Sequence, residues 1–122
     1  MIGYVTLGTN DLARAAAFYD QLLAPLGARR TLEGDRFIAW GTSRSAPALA
    51  IAKPYDGLPA SRGNGAMVAL AAASAAQVDG LYRAALLLGA TGEGEPGPRG
   101  PGFYAAYFRD LDGNKLNFFC FS

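Results

Sequence analysis

The chain repeats itself. Residues 5–28, VTLGTNDLARAAAFYDQLLAPLGA, align with residues 67–90, MVALAAASAAQVDGLYRAALLLGA, at an offset of 63 that slips to 62 near the end. Val5 falls on Val68, Leu7 on Leu70, Phe18-Tyr19 on Leu81-Tyr82, and Leu26-Gly27-Ala28 on Leu88-Gly89-Ala90. Coincidence over a whole strand-plus-helix unit argues for internal duplication, and so for two copies of one supersecondary module. Chance matching of two alanine-rich segments is the competing reading.

Local signals within each copy agree. Residues 3–8 and 66–72 are short strand candidates, each followed by a helix entry: Asn10 or Asp11 in the first copy, and Ser74 with Gln77 three residues on, a capping-box pattern, in the second. Leu12, Ala15, Ala16, Tyr19, Leu22 and Leu23 share one helical stripe, as do Val78, Leu81, Tyr82 and Ala85, so each helix is expected to lay one face on a sheet. Gly27 and Gly89 fit C-terminal caps. DRFIAWGT and PALAIAKP then read as strands in the first half, GFYAAYFRD and NKLNFFCF in the second, and with one further strand in each half not located the order expected is β-α-β-β-β twice. The Gly/Pro-dense stretches KPYDGLPASRGNG and TGEGEPGPRGPG read as irregular, the first a crossover between halves, the second a flap over a cleft or a plain surface loop. The organisation expected is one domain, 1–122, with modules at about 1–56 and 64–122.

Composition narrows the chemistry. Histidine is absent, which removes the commonest general base at neutral pH and the commonest transition-metal ligand. Eleven basic against ten acidic side chains, dispersed along the chain, give no footprint for nucleic acid or an anionic membrane. No leader pattern and no spanning apolar run is present, so a soluble, cytoplasmic protein is expected. Cys120 has no second cysteine to pair with and sits in an apolar strand, which reads as buried packing.

The two modules, the segment LGTNDLARAAAFYDQLLAPLGA and above all FRDLDGNKLNFF resemble the vicinal oxygen chelate superfamily, which includes glyoxalase I, extradiol dioxygenases and bleomycin-resistance proteins. The resemblance spans essentially the whole chain. It implies an α+β fold in which two βαβββ modules form a half-open barrel around a cleft, helices outside, and a homodimer whose modules share a site. Metal-using members direct four side chains into that cleft, from the first and last strand of each module. This pattern places Tyr4, Ala50, Met67 and Asn117 at those positions. Phenol, methyl, thioether and amide are poor company for a divalent cation, so no metal and no cofactor are expected.

Strand alternation extends the list, because residues two apart share a face. Thr6 accompanies Tyr4. Lys115, Phe119 and Phe121 accompany Asn117, leaving Leu116, Phe118 and Cys120 for the helices. Ala48, Ala50 and Ala52 share a face, as do Met67, Ala69 and Ala71, so small side chains flanked by aromatics leave room for a small molecule. A tightly closed core is the alternative. Polar candidates near the mouth are Lys53, Tyr55, Arg99 and Arg109, with Arg99 placed to clamp an anion or simply solvated. Asp110 and Asp112, in RDLDGN, read first as turn residues, and Trp40 as either a stacking wall or a core plug.

Three functions are compatible with these residues. One is a metal-free protein of the bleomycin-resistance type that binds an aromatic or anionic small molecule. Another is a lyase or dioxygenase of the same superfamily, with Tyr4, Glu33 or Asp35 as proton shuttle. The third is a structural module with a closed cleft.

Overall fold

A computed structural model describes all residues, Met1–Ser122. The chain divides into two compact units, Met1–Ser61 and Arg62–Ser122. The first runs β1 (Tyr4–Gly8), α1 (Leu12–Leu23), β2 (Arg29–Glu33), β3 (Phe37–Gly41) and β4 (Ala48–Ala52). The second runs β5 (Val68–Ala71), α2 (Ala75–Leu87), β6 (Thr91–Pro98), β7 (Phe103–Arg109) and β8 (Lys115–Phe121). Each unit is thus the βαβββ module that the repeat implied. Neither helix is long and apolar enough to cross a membrane.

Each module forms an open four-stranded sheet, ordered β1-β4-β3-β2 in the first and β5-β8-β7-β6 in the second. The opening strand lies parallel to the last strand of its module, and the remaining pairs are antiparallel. The helices begin as their capping residues dictate. Asp11 accepts from the Arg14 amide at 3.0 Å, and Ser74 Oγ accepts from the Gln77 amide at 3.1 Å. Gln77 Oε1 completes a variant of the capping box by accepting from Ala73, one residue ahead of the cap, at 2.7 Å. At the other ends Gly27 and Gly89 adopt φ of 78° and 106°, the left-handed region where a side chain is strained.

Two strands escaped the sequence reading. TGEGEPGP is β6 rather than an irregular flap, because pairing with β7 outweighs its poor strand propensity. Its glycines make room for neighbours. A Cβ on Gly94 would meet Tyr107 Cδ1 at 3.1 Å and Arg99 Nη2 at 3.3 Å, and one on Gly97 would meet Arg99 Nη1 at 3.1 Å. Register shifts between Gly92 and Gly97 absorb the irregular composition. The other missed strand, β2, is charged and half exposed, so it carries no apolar alternation to announce it.

Both cores lie between helix and sheet. Ala15, Ala16, Phe18, Tyr19, Leu22 and Leu23 of α1 are buried, and α2 buries Val78, Leu81, Tyr82 and Ala85. Leu116, Phe118 and Cys120 of β8 are buried too, Phe118 stacking on Phe108 with ring centroids 5.2 Å apart. Trp40, 1% exposed, is a core plug: its ring packs 5.6 Å from that of Tyr19, and its indole N–H donates to Asp20 Oδ1 at 2.8 Å. Asp20 also receives a two-pronged contact from Arg30, Nε to Oδ1 at 2.9 Å and Nη2 to Oδ2 at 2.7 Å, tying α1 to β2.

Arg30 first, and then Trp40, hold the Asp20 carboxyl below its ordinary range. A lowered carboxyl stabilises the fold above about pH 4, and the contribution disappears as pH falls through the folded-state value. Asp20→Ala is therefore expected to lower unfolding free energy by about 1–2 kcal/mol at pH 7, the scale of a charged hydrogen bond discounted for partial exposure. In urea titrations the gap from the parent protein should shrink as pH falls below about 4. A Gly94→Val substitution should cost about 1–3 kcal/mol by crowding Tyr107 and Arg99.

Candidate functional site

Strand alternation leaves a helix-free face on each sheet, and the two faces differ. On the first, β1 and β4 lie side by side in register, Tyr4 against Ala48, Thr6 against Ala50 and Gly8 against Ala52, with Ala39 of β3 paired to Ala50. These small residues floor a concavity of about 1010 Å3. The space is large enough for a drug-sized organic molecule.

Three cations line this concavity, Arg36, Arg44 and Lys53, and no carboxylate does. Arg36 precedes β3 and donates through Nη2 to the Pro54 carbonyl at 2.7 Å, which holds its guanidinium in place. Lys53 follows β4, its amide donating to the Arg36 carbonyl at 2.8 Å. Arg44 sits at the opposite end, in the loop joining β3 to β4. Hydroxyls from Tyr4, Thr6, Thr31 and Tyr55 supply neutral hydrogen-bonding capacity.

The second open face is occupied by its own side chains. Arg109 Nε lies 3.0 Å from Glu93 Oε1, an ion pair in which the N–H is poorly aligned, while Nη1 donates to the Gly113 carbonyl at 3.1 Å. Lys115 Nζ stands 3.6 Å from Glu93 Oε2. Arg109 first, and Lys115 after it, hold the Glu93 carboxyl below its ordinary range. Arg99 folds back on β6, donating to the Glu95 carbonyl at 2.6 Å and lying 5.5 Å over the Tyr107 ring. Beyond these, Phe119 packs against Phe103 and Phe121, centroids 5.5 Å away in both cases. Asn117, 2% exposed, leaves Oδ1 buried without a hydrogen-bond partner.

The residues singled out from the sequence therefore fall into two groups. Tyr4, Ala50, Lys53 and Tyr55 converge on the first concavity. Met67, Arg99, Arg109, Asn117 and Phe119 belong to the second module, where Arg99 and Arg109 are engaged in contacts of their own. Asp110 is a turn residue: it accepts from the amides of Asp112 and Asn114, both at 2.9 Å, while Gly113 takes φ of 87°. Arg36 and Arg44 escaped notice. Each lies in a turn beside a strand end, and only recognition of β2 would have marked Arg36 as a hairpin residue facing the same space.

The donor set does not suit a divalent metal. Tyr4 and Ala50 on one sheet, Asn117 on the other and Met67 just ahead of β5 offer no carboxylate, imidazole or thiolate. No cluster of three or more His, Cys, Asp or Glu side chains exists anywhere in the structure. The orphaned Asn117 Oδ1 is one neutral donor, and Glu93, the carboxylate of that face, is committed to two cations. Addition of Zn2+, Ni2+, Mn2+ or Fe2+ is expected to leave the melting temperature unchanged, and elemental analysis after dialysis should find none at stoichiometric level.

The profile of the Glyoxalase/Bleomycin resistance protein/Dioxygenase superfamily matches residues 1–118. Among solved structures, a glyoxalase/bleomycin resistance protein from Albidiferax ferrireducens T118 is 36% identical with a TM-score of 0.89, covering 98% of this chain and 97% of its own. The lactoylglutathione lyase of Agrobacterium tumefaciens is 22% identical with a TM-score of 0.71, covering 98% and 92%. A glyoxalase/bleomycin resistance protein/dioxygenase family enzyme from Burkholderia phytofirmans PsJN is 19% identical with a TM-score of 0.77, covering 96% and 95%. At those last two identities the likeness is one of fold. No curated protein matches the chain significantly.

Proposed function

This chain belongs to the glyoxalase/bleomycin resistance protein/dioxygenase superfamily, and from that premise we propose that it binds a small organic anion on the open face of its first sheet, without a catalytic metal. The observation that carries this reading is the concavity itself: an alanine floor, three cations and no carboxylate. An apolar floor suits a flat or aromatic body, because burying apolar surface drives association in proportion to area. The cations suit a carboxylate or phosphate, with Arg36 already positioned by Pro54. Binding by sequestration needs no proton shuttle, which accords with a chain that has no histidine.

A panel of aromatic carboxylates and phosphates, screened by thermal shift, tests the reading. A ligand of the folded state raises the melting temperature by mass action. Hits are expected among the anions and not among their neutral amides or alcohols, with affinity falling as salt is raised. Ala50→Phe should fill the floor and abolish the shift while the protein remains folded by circular dichroism. Equal response to anions and neutral analogues would sink the proposal.

A further inference from the structure

The cations of the first concavity are not gathered at one point. Arg36 and Lys53 flank the paired residues Phe37 and Ala52, at one end of the β3–β4 hairpin. Arg44 lies in the loop at the other end, beside Gly41 and Ala48. Between them runs the floor from Ala48 to Ala52, four residue steps of about 3.3 Å, or about 13 Å of apolar strand. Positive charge thus stands at both ends of a strip that has none in its middle.

We propose that the ligand is a dianion of extended shape, with an acidic group at each end of a flat apolar body about 10 Å long. This rests on the preceding reading of the site as an anion-binding concavity, and adds to it a geometry and a charge count. The physical argument is one of pairing. An anion with a single charged group satisfies one end and leaves the cation at the other with no counter-charge, since no carboxylate lines the space. The acids on the hairpin that carries Arg36 do not change this: Glu33 is paired to Arg30 at 2.8 Å, and Asp35 is not part of the lining. A second acidic group reaching Arg44 adds an interaction with little further ordering cost, because the first has already fixed the body on the floor. The floor's small residues enforce shape as well: Ala39, Ala48, Ala50 and Ala52 present no side chain that an elongated rigid body would strike.

Isothermal titration with three rigid probes tests this: biphenyl para,para′-dicarboxylate, biphenyl para-carboxylate and the shorter terephthalate. The long dicarboxylate is expected to bind at least tenfold more tightly than either of the others, with the steepest salt dependence. Arg44→Gln should collapse the ratio between the long dicarboxylate and the monocarboxylate to near one, as should the double substitution Arg36→Gln and Lys53→Gln. Circular dichroism of each variant verifies folding. Should the monocarboxylate bind as tightly as the long dicarboxylate, or the ratio survive Arg44→Gln, the two-ended site is refuted while anion binding stands. Should all three probes fail to bind, both readings fall together.

Discussion

Each four-stranded sheet carries a helix on one face only, and that one-sidedness governs the rest of the molecule. Alternation along a strand then sorts every residue into a helix-facing or an open-facing set. The helix side takes the fully buried bulky side chains, because that is where water is excluded on all sides. Trp40, Ile51, Phe108, Leu116 and Phe118 obey this and are essentially fully buried. The open face is released from packing duty, so its residues are free to be small, polar or charged.

The two modules use that freedom in opposite ways. The first keeps its face shallow with alanines and glycine and rims it with cations that face no carboxylate. The second fills its face internally, with Glu93 bridging Arg109 and Lys115, Arg99 folded onto β6, and three phenylalanine rings packed together. Two modules alike in topology thus differ in charge. The same backbone supports an open cationic trough in one module and an internally paired charge network in the other. Fold membership alone says nothing of this difference, since chemistry lives in side chains placed on a scaffold.

The residues that the resemblance sets at the ligand positions of metal-using members, Tyr4, Ala50, Met67 and Asn117, offer phenol, methyl, thioether and amide. The nearest approach to a ligand is Asn117, whose amide oxygen is buried and unpaired. A single neutral oxygen does not offset the cost of stripping water from a divalent ion.

Much of this was legible in the chain itself. The repeat at an offset of 63, the caps at Ser74, Gly27 and Gly89, and the helical stripes determined two like modules with their helices and six of their eight strands, because those signals are local and act within a few residues. Alternation in YVTLG and ALAIA, read outward from Tyr4 and Ala50, assigned the faces of β1 and β4. Tertiary structure decided what local signals do not encode. Glycine-rich β6 is a strand only because β7 pairs with it and Tyr107 and Arg99 occupy the space its missing side chains leave. Arg36, Arg44 and Lys53 line one concavity only because the β3–β4 hairpin and its flanking turns bring them to the same face. Periodicity records which way a residue points along its own strand; which distant residue shares its space depends on pairing between strands, and that is a property of the folded chain.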